Sequence, residues 1–152
     1  MQPGATEDSA RTTDDETAGL DAVKNFLRRV GIGENDVALN DGSGLSRNDL
    51  ISANTTVQLL TFMSRHKYFA QFRDALPIAG VDGTLRTRMR GTAAAGRCQA
   101  KTGTLSNVSS LAGYCRAASG HDIVFAVIMN NLGLGAAHAE QDQFAATLVR
   151  LG

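Results

Sequence analysis

The spacing of apolar residues changes after residue 15. Residues 1–15 contain almost nothing apolar, so they cannot offset the entropy of ordering the backbone, and we predict a disordered polar tail there. The following segment predicts an amphipathic helix, because its apolar side chains recur at helical spacing: Leu20, Val23, Phe26, Leu27 and Val30. Gly31 is the expected end of this helix.

Two further helices are predicted in the middle of the chain. The hydroxyl of Ser52 can cap the free amides of a helix that runs to about His66. A shorter helical stretch begins near Tyr68, and Pro77 ends it. Residues 78–97 are rich in Gly, Arg and Thr and have no clear period. We therefore expect a loop with one short helical turn.

The pattern becomes typical of β-strands after residue 97. Two extended runs, Cys98–Leu105 and Val108–Ala117, flank a two-residue turn, and a third β-rich run follows at His121–Asn130. Residues 136–150 return to helical spacing. The predicted fold is α+β, with an antiparallel three-strand meander and flanking helices.

The predicted hairpin places the two cysteines of the chain together. If Ser106-Asn107 is the turn, Leu105 pairs with Val108, and counting outward brings Cys98 opposite Cys115. Directly opposed cysteines can come close enough to bridge, so we hypothesise a disulfide. The alternative is a pair of small buried thiols.

Composition excludes several classes of partner. The chain has 152 residues and 43% hydrophobic content, enough for one core, and 15 basic residues balance 15 acidic ones. We therefore expect no nucleic-acid partner and no anionic-membrane partner. No apolar run approaches the roughly 20 residues of a membrane span, and the N-terminus lacks the pattern of a signal peptide. The histidines and cysteines are widely spaced, so we expect no metal and no cofactor.

The run Lys101-Thr102-Gly103-Thr104 carries the candidate chemistry. On a strand, the lysine provides a positive charge for a carboxylate, the glycine lets a substrate backbone lie close, and the threonine hydroxyls donate to the carboxylate. At a sheet edge, the backbone can also pair with an extended peptide. The alternative is a solvated hairpin edge without a ligand.

Four blocks of sequence, in order, carry a resemblance to a known family. Residues 41–47, 76–86, 100–105 and 111–114 read DGSGLSR, LPIAGVDGTLR, AKTGTL and LAGY. With these blocks the chain resembles the C-terminal part of the class C low-molecular-mass penicillin-binding proteins, the serine D-alanyl-D-alanine carboxypeptidase and endopeptidase family of bacterial cell-wall metabolism. The resemblance implies that residues 16–152 are the C-terminal portion of a penicillin-binding-protein/β-lactamase-like transpeptidase domain.

The resemblance also implies roles for individual residues. Lys101 would be the lysine of the third catalytic motif, KTG. Thr102 and Thr104 would bind the terminal carboxylate of a peptidoglycan peptide or of a β-lactam, and the Thr104 amide would form half of an oxyanion hole. Gly103 would belong to the same substrate-binding strand and let the substrate backbone lie close. Ser106 and Arg47 are further candidates for the same carboxylate, although Arg47 can equally serve to fix its own loop. The family implies a periplasmic or extracellular location.

The two other family motifs, SxxK and SDN, are not convincingly present. One run, Ser64-Arg65-His66-Lys67, has the residue types of SxxK. It lies at the end of a predicted helix and only 37 residues before Lys101. Ser46-Arg47-Asn48 and Ser52-Ala53-Asn54 fit SxN, and we interpret both as structural. An acyl-enzyme needs an activated hydroxyl and a base, so this chain alone should be inactive.

Two interpretations follow from these observations. The chain is either part of a serine-type D-Ala-D-Ala carboxypeptidase that supplies the KTG wall of the site, or a non-catalytic peptidoglycan-binding, peptide-binding or scaffold remnant of that fold. In both cases three strands would leave an unpaired sheet edge. We therefore expect self-association or a missing N-terminal segment as a partner.

Overall fold

The structure is a computed structural model that describes the backbone of residues 6–152 and the side chains of residues 15–152. The chain divides into two compact units, one up to Thr55 and one from Thr56 to Gly152. Among the described helices, none combines the length and the apolar character that crossing a bilayer requires.

The first unit contains one long helix and a small sheet. Helix α1 spans Thr6–Arg29, and it ends where Gly31 adopts a positive φ of 87°. Such an angle favours glycine at a helix end, and this confirms the predicted stop. Strands β1 (Val37–Ala38) and β2 (Leu50–Ile51) form a two-stranded antiparallel sheet.

The start of α1 differs from the prediction of a disordered tail over residues 1–15. Residues 1–5 lie outside the described residues, whereas residues 6–15 continue the helix. Adding residues to an existing helix costs much less than starting one, and Glu7 and Asp8 are acidic residues in the first turn. The composition of residues 1–15 does not reveal this propagation, because it depends on the amphipathic segment that follows.

Helix α2 spans Ala53–Ser64 and confirms the predicted second helix. The Ser52 hydroxyl accepts a hydrogen bond from the Thr55 N–H at 3.0 Å, which is the predicted N-terminal cap. Helix α3 (Phe69–Asp74) follows. The loop beyond Pro77 contains the expected short turn, a 3-10 helix at Gly83–Leu85.

The second unit is built on a three-stranded antiparallel sheet in the order β3-β4-β5. The strands are β3 (Cys98–Leu105), β4 (Val108–Arg116) and β5 (Asp122–Asn130), and helix α4 (Leu134–Leu151) follows them. Leu105 pairs with Val108 around the predicted turn, in which Asn107 has a positive φ of 64° that asparagine tolerates. The α+β meander is therefore confirmed.

The two faces of this sheet are covered by different helices. One face packs on α4, and its core includes the fully buried side chains Cys98, Ala100, Leu111, Ala145 and Val149. The other face carries Tyr114, which is 1% exposed and makes edge-on ring contacts with Phe69 and Phe72 around α3. Each face therefore holds the sheet against one helical layer.

The register brings Cys98 opposite Cys115, as predicted, and a disulfide joins the two residues with a Cα–Cα distance of 4.1 Å. Nearby, a Cβ on Gly113 would lie 2.6 Å from the Cα of its partner Ala100. Only glycine lets the two backbones approach this closely. The strands β3 and β4 are therefore fixed tightly at this end of the hairpin.

Candidate functional site at the edge of strand β3

Strand β3 has two halves that differ at the outer edge. The anchored half, Cys98–Ala100, is flanked by Pro77–Ala79. The Ala79 N–H donates to the Cys98 carbonyl at 2.9 Å, and the Ala100 N–H donates to the Pro77 carbonyl at 3.0 Å. The open half, Lys101–Leu105, pairs with β4 on its inner side. Within residues 6–152, no strand pairs with its outer edge.

The backbone of the open half offers hydrogen-bonding groups to this edge. Backbone groups of successive residues in an antiparallel strand alternate between the two edges, and those of Cys98 and Ala100 reach outward to Pro77–Ala79. By the same alternation, the N–H and C=O groups of Thr102 and Thr104 point to the outer edge. An extended ligand could therefore pair there as an added strand.

The side chains of the open half divide between the two faces of the sheet. Thr102 and Thr104 lie opposite Leu111 and Ser109, on the face that carries α4. Lys101 is exposed on the other face, but its ammonium group donates to the Thr102 carbonyl (Nζ–O 2.7 Å). Lysine and threonine functional groups therefore meet at the outer edge.

Gly103 has a packing role that the sequence did not indicate. A Cβ at this position would collide with the hydroxyl of Ser110, the residue opposite Gly103 in β4. The sequence predicted that this glycine leaves room for the backbone of a substrate. In the structure, the neighbour at this position is the adjacent strand β4. The absence of a side chain at Gly103 therefore allows the close contact with Ser110 in the sheet.

Ser106 lies in the exposed turn after β3 and lines a cavity of about 500 Å³ together with Thr104 and Ser109. The remaining wall is mostly apolar and includes Leu132 and Leu134. Ser106 and Thr104 are therefore brought together. A cavity of about 660 Å³ in the first unit is lined by none of the predicted site residues.

A buried polar chain supports the strand behind Thr104. Ser109, which lies opposite Thr104, accepts a hydrogen bond from the Gln141 side-chain amide at 3.1 Å. Gln141 in turn accepts from the Arg88 guanidinium at 3.0 Å, and Arg88 also pairs with Asp142 at 2.6 Å. These hydrogen bonds connect Ser109 of β4 with Gln141 of α4, although the buried Nη1 of Arg88 has no hydrogen-bond partner among the described residues.

Arg47 lies in the first unit, in an exposed turn of the loop at residues 41–47. Asp41 shapes this loop by accepting hydrogen bonds from the Ser43 N–H and hydroxyl at 2.8 and 2.7 Å. The Ser43 hydroxyl and then its N–H lower the pKa of Asp41. The assignment of Arg47 to a carboxylate stays a prediction.

The serines that match SxxK and SxN by spelling have structural partners. Ser64, the last residue of α2, donates its hydroxyl to the Thr61 carbonyl at 2.8 Å. Ser46 accepts from the Asn48 N–H, and Ser52 caps α2. The Lys67 ammonium lies over the Tyr68 ring, 4.9 Å from its centre. The contacts of Ser46 and Ser52 agree with the interpretation of the two SxN runs as structural.

Sequence reasoning gave no role to one residue of the site, Thr84. Its hydroxyl accepts a hydrogen bond from Thr102 at 3.0 Å, although 18 residues separate the two. Thr84 belongs to one of the four family-like blocks, but no local spacing rule connects it with β3.

Among residues 15–152, no group of three or more His, Cys, Asp or Glu side chains could hold a metal ion.

A family model described as the D-Ala-D-Ala carboxypeptidase 3 (S13) family matches residues 6–151. The D-alanyl-D-alanine carboxypeptidase of Actinomadura sp. (strain R39) is 42% identical over 136 residues, which are 86% of this chain and 25% of that protein. The chain thus spans about a quarter of the length of the first relatives it matches.

Solved structures show the same fold. Penicillin binding protein 4 (dacB) from Haemophilus influenzae, complexed with a novel β-lactam, superposes with a TM-score of 0.72 at 33% identity, over 86% of this chain and 32% of that chain. A predatory endopeptidase from Bdellovibrio bacteriovorus gives a TM-score of 0.73 at 22% identity, over 85% and 36% of the two chains, which shows the fold alone. The resemblance inferred from the four sequence blocks is confirmed: the chain belongs to the D-Ala-D-Ala carboxypeptidase 3 (S13) family.

Proposed function

We propose that the open half of β3 is the carboxylate-binding wall of a serine-type D-Ala-D-Ala carboxypeptidase site that acts on peptidoglycan stem peptides. The observation that carries the proposal is the meeting of three groups at one uncovered edge. These are the Lys101 ammonium, the Thr102 hydroxyl and the outward backbone of Thr102 and Thr104. The names of the family and of its relatives support the choice of substrate.

In this proposal each group has a separate task. The Lys101 ammonium and the hydroxyls of Thr102 and Thr104 bind the terminal carboxylate, since charge-assisted hydrogen bonds are the stronger ones. The Thr104 N–H points to the edge where the oxyanion of a tetrahedral intermediate would form. Ser106, exposed in the following turn, contacts the same part of the ligand. The chain therefore supplies binding and electrostatic stabilisation.

The nucleophile is not among the residues that we assign to the site. Ser64, the one serine in an SxxK spelling, donates its hydroxyl to its own helix and has no base in that contact. We therefore propose that these 152 residues bind ligand without forming an acyl-enzyme. The alternative function, a non-catalytic peptide-binding or scaffold domain, shares the edge but never works beside a serine.

Titration of the ¹⁵N-labelled chain with N-acetyl-D-Ala-D-Ala, followed by NMR, tests the binding wall. We expect amide shifts confined to residues 101–106 and their neighbours, and about tenfold weaker binding by Thr102→Val, because a hydrogen bond to a charged group is worth about 1.5–3 kcal/mol. N-acetyl-L-Ala-L-Ala is the matched control ligand. No shifts in the open half, or equal binding of the two enantiomers, would contradict the proposal.

Labelling with a fluorescent penicillin tests the statement about the nucleophile. We expect no covalent adduct on this chain, even at concentrations where the peptide titration shows binding. A stoichiometric adduct that survives denaturation would show that an activated serine is present. Its position by mass spectrometry would then identify the residue, with Ser64→Ala as the first control.

A further inference from the structure

Thr84 and Thr102 form a hydroxyl pair at the outer edge of the open half. The Thr102 hydroxyl donates to Thr84 Oγ1 with an oxygen–oxygen distance of 3.0 Å, and the pair is exposed to solvent. A hydroxyl has one proton to donate and two acceptor sites. In this arrangement, the proton that the proposed function requires for a carboxylate is directed to Thr84.

The loop that carries Thr84 is firmly fixed to β3. Its start is bonded to the anchored half through Pro77 and Ala79. Its end is held by Leu85, which is fully buried and whose carbonyl accepts from the Gly80 N–H at 3.0 Å. Within the loop, the Asp82 carboxylate accepts from the Ile78 N–H at 2.7 Å. Thr84 is therefore presented to Thr102 by a closed and anchored loop.

We propose that Thr84 is a positioning residue that acts through Thr102 in a two-hydroxyl relay. When a carboxylate reaches the edge, the Thr102 O–H turns toward the ligand oxygen, and the Thr84 O–H turns to donate to Thr102 Oγ1. No covalent bond changes, and both protons stay on their own oxygens. Donation from Thr84 polarises the Thr102 hydroxyl and holds its rotamer, which strengthens its bond to the anion. This inference rests on the proposed function.

A double-mutant cycle on the intact chain tests the relay, with the affinity for N-acetyl-D-Ala-D-Ala as the readout. Thr84→Val keeps the size of the side chain and removes the hydroxyl, and we expect about three- to tenfold weaker binding, the worth of one hydrogen bond. Thr84→Ser keeps the hydroxyl and should bind like the original chain. In the Thr102→Val background, Thr84→Val should have no further effect, because its partner is already gone.

The outcomes separate the relay from the site itself. Unchanged affinity of Thr84→Val, together with weakened binding by Thr102→Val, would overturn the relay and leave the proposed function standing. Equal losses from Thr84→Val with and without the Thr102 hydroxyl would also overturn it, since the effect would then not pass through Thr102. Absence of binding by the unmodified chain would overturn both. Amide spectra that match outside residues 84 and 102 serve as the control for folding.

Discussion

The two halves of β3 differ in almost every physical respect although they are continuous in sequence. In the anchored half, Cys98 and Ala100 are fully buried, and the backbone is bonded on both edges. In the open half, Lys101 and Thr104 are exposed, and among the described residues only β4 pairs with the strand, at its inner edge. The change happens within one residue step, where the Pro77–Ala79 segment ends its pairing with the strand.

This difference explains how an uncovered edge can hold fixed geometry. A free sheet edge is usually a liability, because it is mobile and can pair with other chains. Here the disulfide, the close contact at Gly113 and the bonded Pro77 segment fix the strand immediately before Lys101. A binding site needs rigid support for groups that stay accessible. In the proposed site, the anchored half provides the support, and the open half provides the binding groups.

Removing the disulfide should have the largest effect on this comparison. We expect the double variant Cys98→Ala/Cys115→Ala to lose about 3 kcal/mol of unfolding free energy, as is typical of a disulfide that closes a loop of this size. Urea denaturation measures the change. The peptide affinity of the folded variant should fall as well, because the open half loses its support.

The unmodified chain with and without reductant is the matched comparison for this variant. Both cysteines are fully buried, so the reductant should reduce the disulfide only in molecules that unfold, at least locally. A variant with the same urea midpoint as the oxidised chain would show that Pro77–Ala79 and β4 are sufficient to hold the anchored half.

Tyr114, opposite Gln99 in the anchored half, should have a smaller and pH-dependent effect. Burial raises the pKa of Tyr114 to about 12, although the Arg73 cation opposes the shift. Its hydroxyl donates to the Leu60 carbonyl at 2.8 Å, so Tyr114→Phe should cost about 1 kcal/mol at neutral pH. Urea denaturation of both proteins at several pH values between 8 and 12 measures the difference.

The sign of the pH effect follows from the direction of the shift. The folded state keeps the phenol protonated above pH 10, whereas the unfolded chain, with a pKa near 10, releases the proton. The contribution of the Tyr114 phenol to the free energy of unfolding is fully present below pH 10 and is lost as the pH rises toward 12. The advantage of the original chain over Tyr114→Phe should shrink in that window. If the difference in unfolding free energy between the original chain and Tyr114→Phe were constant from pH 8 to 12, the raised pKa of Tyr114 would be refuted.

Substitutions in the open half should change stability least and binding most. Lys101→Ala and Thr104→Val alter exposed side chains, so we expect the free energy of unfolding to change by less than about 0.5 kcal/mol. The affinity for N-acetyl-D-Ala-D-Ala should nevertheless fall at least about fivefold for Lys101→Ala, because the charge opposite the carboxylate is removed. Lys101→Arg keeps the charge and is the control. Stability losses as large as those in the anchored half would end the distinction between the halves.

The local sequence pattern was sufficient to predict much of the fold and to locate the motif Lys101-Thr102-Gly103-Thr104. Period-2 and helical spacing located the three strands and most of the helices, and counting outward from Ser106-Asn107 placed Cys98 opposite Cys115. Composition did not predict the helix at residues 6–15, where propagation from the next segment extends α1. It also could not reveal that Gly103 lies against Ser110, since that contact depends on a second strand.

The sequence by itself determined the family, the order of the elements and the register of the hairpin, because each depends on neighbours along the chain or on short motifs. Only the tertiary structure decided that Pro77–Ala79 covers one half of β3 and leaves the other open, and that Thr84 reaches Thr102 across 18 residues. These contacts come from the path of a loop with no periodic pattern. Its position is fixed by burial of Leu85, by backbone hydrogen bonds that depend little on residue type, and by the Asp82 carboxylate, which accepts from the Ile78 N–H.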